Sequence, residues 1–187
     1  MKILVVDDNE NHRKAAQVLL RNHEVTVAGT YAEGERCLES ETPDVVLTDL
    51  LVPPVVMHNG TERDFGEKFP DEKFSEMPLG TIFAFLALKK GIKMVAVVTD
   101  ANHHKHPASA ALDSFRASRE LERCVLRIGD AAILLTNFGF DGWINSKTGE
   151  PSTWGEVKDI GEGNCFPCKR WDFVLAALLQ GKSTEKE

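Results

Sequence analysis

A chain of 187 residues, 42% hydrophobic and 27% charged, is long enough to bury its own core and has the make-up of a soluble globular protein. Its 29 acidic and 22 basic residues give a net charge of −7, and the basic ones are scattered, which argues against a phosphate-tracking nucleic-acid surface. No apolar run reaches the ~20 residues of a membrane span, and Asp7 and Asp8 arrive too early for a signal peptide, so the expected location is cytoplasmic.

In chain order, KILVVDD reads as a buried strand, a continuous apolar run closed by acids. Residues Asn11 to Asn22 carry Ala15, Ala16, Val18, Leu19 and Leu20 at helical spacing. EVTVAGT is a β-branched second strand, YAEGERCLES a second helix, and PDVVLTD a third strand. Residues 52–79, rich in Pro, Gly and charge, read as an inserted loop with a short helical turn, because ordinary βα loops run to only ~2–6 residues. GTIFAFLALKKG is then a helix stopped by Gly91, KMVAVVTD a fourth strand, PASAALDSFRASRELE a fourth helix and DAAILLTNF a fifth strand. A second irregular region, 138–168, has the turn signals NSKTG and GEGN of a hairpin, before RWDFVLAALLQGK closes the chain as a fifth helix. Strand and helix in strict alternation argue for a doubly wound five-stranded parallel sheet with helices on both faces.

In such a sheet, ligands bind outside the carboxyl ends of the strands. Three strand ends are rich in oxygen donors: Asp7-Asp8 after the first, Asp49 after the third and Thr99-Asp100 after the fourth. If those strands are neighbours, the carboxylates gather in one pocket. Clustered carboxylates repel and lose hydration on burial, and a hard dication with oxygen preference, Mg²⁺, offsets that cost.

These three motifs, ILVVDDN, TPDVVLTDLLVP and MVAVVTDA, resemble in order and spacing those of the receiver domains of two-component response regulators. The resemblance covers residues 1–51 and 80–137 and extends to the last helix. It implies a flavodoxin-like receiver fold with an inserted loop after strand three and a hairpin insertion before the last helix. One receiver-like domain would span 1–182, with insertions at about 52–79 and 138–168 and a frayed tail at 183–187. It further implies that Asp49 accepts a phosphoryl group from a histidine kinase or phosphotransfer protein. Mg²⁺ would be held by Asp8, Asp7, Asp49 and the backbone carbonyl of Leu51, and Thr99 would contact the phosphoryl group. The chain ends after the fifth helix, so output is expected through contact of the fourth helix, fifth strand and fifth helix with another protein, not through nucleic acid or membrane.

Departures from the family pattern matter equally. The family's fifth strand ends in a lysine, whereas here Thr136 or Asn137 stands at that place; Lys147, Lys158 and Lys169 are candidates to replace it from the second irregular region. Asp100 adds a negative charge where the family often has a small residue. The alternative is thus a pseudo-receiver, an interaction module that keeps the fold and is not switched by phosphate. A phosphatase-like hydrolase is disfavoured because Leu51 stands where it would use a second aspartate.

Four cysteines in a chain expected in the cytoplasm read as thiols. Cys165 and Cys168 form a C-x-x-C that, with His103, His104 and His106, has zinc-type donors but no spacing that completes a site. Trp143, Trp154, Trp171, Phe138 and Phe140 read as packing residues for a small extra core.

Overall fold

The structure is a computed structural model that describes residues 1–53, 55–58, 61–64, 77–101, 104, 106–115, 124–137, 142–152, 154–160 and 164–181. Its strands are β1 (Lys2–Val6), β2 (Glu24–Ala28), β3 (Val45–Thr48), β4 (Val55–His58), β5 (Thr61–Asp64), β6 (Met94–Val98), β7 (Val125–Ile128), β8 (Ala131–Thr136), β9 (Gly142–Asn145), β10 (Pro151–Ser152) and β11 (Cys165–Cys168). Its helices are α1 (Glu10–Leu19), α2 (Tyr31–Ser40), α3 (Leu79–Lys89), α4 (Pro107–Ala111), α5 (Trp154–Ile160) and α6 (Trp171–Gly181). Among the described residues no helix is long and apolar enough to cross a membrane.

The protein is α/β, built on a six-stranded, mostly parallel sheet in the order β2-β1-β3-β6-β8-β7. The apolar runs KILVV, VVLT and MVAVV make its centre because strands covered on both faces need no polar side. Alternation splits their side chains between two cores. Ile3, Val5, Leu47, Ala96 and Leu134 pack under α1 and α6, while Leu4, Val6, Val46, Val95 and Val97 pack under α2 and α3. The order of β1, β3 and β6 makes these strands neighbours and places the three acidic strand ends side by side.

Helix α1 begins where Asn9 caps it, its side chain accepting from the Asn11 backbone N–H, one residue before the start the apolar spacing suggests. One further difference has a physical reason. The sheet has a sixth strand, β7, antiparallel to β8 and joined to it through Gly129, whose φ of +61° suits a tight hairpin. The expected long fourth helix is described only as α4 and one 3-10 turn, Leu112–Phe115; residues 116–123 lie outside the described residues. Within the first insertion, β4 and β5 form an antiparallel pair, and the rest of the insertion, where a helical turn is expected, lies largely outside the described residues.

The second insertion is a small three-stranded sheet, β10-β9-β11, with α5 between its last two strands. The expected NSKTG turn forms there: the Asn145 side chain accepts from the backbone N–H groups of Lys147 and Thr148, and Gly149 has a φ of +70°. The GEGN signal, the 183–187 tail, Phe138 and Phe140 fall on or beside residues outside the description.

Candidate functional site

The three strand ends converge as built. After β1, the Asp7 backbone N–H donates to the Ala28 carbonyl of β2, and Asp7 is fully buried. Its Oδ1 accepts from the Asn9 N–H at 2.9 Å. Arg13, one turn into α1, donates from Nη1 to the carbonyl oxygens of Asp7 and Asp8 at 2.6 and 2.7 Å, fixing the backbone of the acidic turn. After β3, the Asp49 N–H donates to the Val6 carbonyl at 2.7 Å, and Asp49 Oδ2 accepts from the Leu51 N–H at 3.2 Å. After β6, the Thr99 N–H donates to Thr136 of β8, and the buried Thr99 hydroxyl oxygen accepts from the Ala101 N–H.

Helix α3 enters directly against this turn. The Gly80 N–H donates to the Leu50 carbonyl at 3.0 Å. A Cβ at position 80 would overlap the Asp49 carbonyl oxygen and stand 2.7 Å from its carbonyl carbon. Only glycine lets the helix start this close to the carboxylate's backbone.

Of the three lysines named from sequence, the structure brings Lys169 to the pocket. Lys147 is exposed on the β9–β10 turn and Lys158 is exposed on α5. Lys169 follows β11 and precedes α6, and it is buried, with Nζ 2.7 Å from Asp7 Oδ2, 2.7 Å from Asp49 Oδ1 and 3.7 Å from Asp100 Oδ1. Burial alone would pull its pKa down, but the charges of Asp7, Asp49 and Asp100 outweigh that and raise it, so the ammonium stays charged at neutral pH.

The acids respond differently. Burial raises the Asp7 carboxyl, with Lys169 acting against it. Asp8 is exposed at the rim, yet partial burial and then the Asp49 charge push its carboxyl up. Asp100 is held well below the usual carboxylate range, chiefly by its hydrogen bond with His12, whose Nε2 lies 3.0 Å from Asp100 Oδ2.

His12 was not among the residues singled out from the sequence, although its position carried a signal. It shares the buried stripe of α1 with Ala15 and Ala16, a place where a polar side chain needs a partner. Besides Asp100, its Nδ1 accepts from the Lys169 N–H at 3.3 Å, and its carbonyl accepts from Trp171 Nε1 at 3.0 Å.

The remaining candidates stay apart. Thr136 is buried at the end of β8, and Asn137 turns away to Asp113 Oδ1 at 2.7 Å and the Ser109 carbonyl at 3.2 Å. Of the zinc-type donors, Cys165 and Cys168 are three positions apart in β11 and so face opposite sides of it. Cys168 joins the core under α1 and α6, and burial pushes its thiol up to about 12. His106 caps α4, its Nδ1 accepting from the Ser109 N–H, His104 is exposed, and His103 lies outside the described residues. Trp171 is fully buried and Trp143 half-buried in β9, as packing residues should be, while the Trp154 side chain is not described.

For Mg²⁺, the donors fit in kind. Asp7, Asp8, Asp49 and Asp100 set four oxygen-donor carboxylates against one ammonium, leaving an excess of negative charge that a hard dication would offset. Among the described residues no group of three or more His, Cys, Asp or Glu side chains is arranged to hold a metal ion, and Lys169 stands between Asp7 and Asp49. Comparison of the chain with protein-family models, curated proteins and solved structures gives no match.

Proposed function

We propose that this protein is an atypical two-component receiver domain of flavodoxin-like fold, located in the cytoplasm, that accepts a phosphoryl group on Asp49. The observation that carries the reading is Lys169 Nζ at 2.7 Å from both Asp49 Oδ1 and Asp7 Oδ2, at strand ends adjacent to the one that carries Thr99. An acid, a lysine and a hydroxyl at the carboxyl edge of a parallel sheet are what acyl-phosphate chemistry on a receiver uses. The insertion delivers the lysine that the end of β8 lacks.

The step is a substitution at phosphorus. A carboxylate oxygen of Asp49 attacks a phosphohistidine, or a small acyl phosphate; the bond from phosphorus to imidazole nitrogen, or to the acetate oxygen, breaks, and the leaving group takes its electron pair. Asp49 then carries the acyl phosphate. The Lys169 ammonium, already paired with Asp49, meets the added charge, and the Thr99 hydroxyl donates to a phosphoryl oxygen once it turns from Ala101. Asp8, Asp7, Asp49 and the Leu51 carbonyl would hold Mg²⁺, which when bound neutralises charge on the attacking and transferred oxygens. Output would pass by protein–protein contact through α4, β8 and α6, where β7 forms the sheet edge outside β8.

One observation favours the pseudo-receiver alternative. Lys169 ties Asp7 and Asp49 together while itself fully buried, so the pocket is partly neutralised from within. The decisive experiment is intact mass after incubation with acetyl phosphate and Mg²⁺, beside Asp49→Asn. A phosphate adduct that needs both Mg²⁺ and Asp49 supports the receiver. No adduct, together with no spectral change on adding beryllofluoride, leaves the interaction module as the better account.

A further inference from the structure

His12 lies on the buried face of α1, with its side chain only 6% exposed; Nδ1 faces the Lys169 backbone N–H, and Nε2 faces Asp100 at 3.0 Å, with the Asn9 amide nitrogen farther off at 3.5 Å. The Lys169 backbone N–H can only donate, so Nδ1, which faces it at 3.3 Å, must be bare. The ionised Asp100 carboxylate can only accept, so Nε2, at 3.0 Å from Oδ2, must carry the hydrogen. A doubly protonated ring would set two N–H groups against each other at Lys169. These partners assign the ring the Nε2–H tautomer, a bridge from the loop after β6 to the residue after β11.

That bridge sits where the insertion meets the acids. Lys169 reaches the acids from a small sheet that is not continuous with the main one, and its Nζ must lie within hydrogen-bond reach of two carboxylates at once. Its side chain is tethered by the acids and its backbone by His12; the next anchor, Trp171 Nε1, also ends on His12, at the carbonyl oxygen. Asp100 contributes by locking the tautomer, although its own oxygen is 3.7 Å from Nζ.

We infer that His12 is the positioning residue for Lys169: held in one tautomer by Asp100, it accepts the Lys169 backbone N–H and so sets the ammonium between Asp7 and Asp49. The consequence for phosphoryl acceptance rests on the receiver reading, whereas the positioning itself does not.

Two substitutions separate the ring nitrogens. In His12→Asn the amide oxygen takes the place of Nδ1 and keeps the acceptor for Lys169. In His12→Gln the amide nitrogen takes the place of Nε2 and keeps the donor to Asp100, leaving the Lys169 N–H without its acceptor. The first readout is the slowly exchanging ammonium resonance of Lys169 in nitrogen-15-labelled protein, identified by its loss in Lys169→Arg. His12→Gln should lose it and His12→Asn should keep it. Phosphoryl uptake from acetyl phosphate should follow the same order, falling by about ten- to a hundredfold in His12→Gln, the scale of a misplaced reacting group, with recovery in His12→Asn.

A wild-type measurement needs no variant to fold: nitrogen-15 shifts of His12 should report bare Nδ1 and protonated Nε2. An Nδ1–H tautomer or an imidazolium at neutral pH overturns the inference. So does an ammonium resonance that survives His12→Gln unchanged, or one lost equally in both variants. If wild type takes up no phosphoryl group at all, the receiver reading falls, and the tautomer and the ammonium resonance still decide the role of His12.

Discussion

Lys169 Nζ donates to Asp49 Oδ1 across 120 residues of chain and to Asp7 Oδ2 at the same 2.7 Å, so one buried cation serves two buried carboxylates. Removing it leaves both acids desolvated with no compensating charge inside the core. Lys169→Met should therefore destabilise the fold by about 3–5 kcal/mol, the range for breaking a buried pair on one side. Urea denaturation at neutral pH and low divalent ion reads this. Adding Asp49→Asn to the same chain should recover part of the loss, because one of the two orphaned charges is gone. A double variant that is less stable than Lys169→Met alone would show that the pair is not what holds the pocket.

The approach of α3 to the Asp49 turn makes Gly80 a second sensitive position. A Cβ there meets the Asp49 carbonyl, which is backbone and cannot swing aside, so either α3 or the Asp49 turn must move. Gly80→Ala should cost about 1–3 kcal/mol, the scale of overpacking, and should displace the carboxylate. Gly91 is the control: its φ of +89° strains any side chain, but nothing lies within 4 Å of the position, and it stops the far end of the helix. Gly91→Ala should lower the melting temperature without changing phosphoryl uptake per folded molecule. Gly80→Ala should change both.

The parallel core and the three acidic strand ends were legible because both rest on local pattern: continuous apolar runs, then oxygen donors at their ends. The strand β7 was missed because VLRI follows a helical-looking charged run; the Gly129-Asp130 pair between two β-rich runs was the available signal. Asn59-Gly60 was a similar unread signal for β4 and β5. The lysine could be narrowed to three and no further, since reaching Asp49 depends on how β9 and β11 pair, a long-range fact with no local trace. His12 sat within reach of sequence reasoning, as a polar residue on an apolar stripe. Its partners, Asp100 and Lys169, are 88 and 157 residues away.

The hydrogen bond from His12 to Asp100 has a pH signature. Asp100 is held below its ordinary value of 3.8, so the folded state favours the carboxylate more than the unfolded state does. Its contribution is fully present above the ordinary carboxylate range and is lost as pH falls through the depressed folded value. The stability gap between wild type and Asp100→Asn should be flat from pH ~7 to ~5 and shrink from pH ~4 downward. Asp7, raised by burial, acts in the opposite sense in both proteins, whereas the Asp100 charge is a minor cause of the raised Asp8 carboxyl, so Asp100→Asn also relaxes Asp8 slightly. A gap that grows as the solution is acidified would contradict the assignment.

The ammonium and a dication address the same acids, so their binding must be coupled. Lys169 neutralises one charge of the four-carboxylate set, and each carboxylate it engages is a weaker donor for a second cation. In Lys169→Met that competition disappears while the negative charge grows by one. The variant should bind Mg²⁺ about tenfold or more tighter than wild type, worth about 1.4 kcal/mol at saturating metal. Since an ion that binds only the folded state adds stability in proportion to the logarithm of its excess over Kd, thermal melts across a Mg²⁺ series give the affinity directly. Wild type should gain a small shift in melting temperature, Lys169→Met a larger one, and Asp8→Asn in either background should reduce it. Equal shifts in wild type and Lys169→Met would mean that the metal sits outside the reach of Lys169, at the Asp8 rim alone.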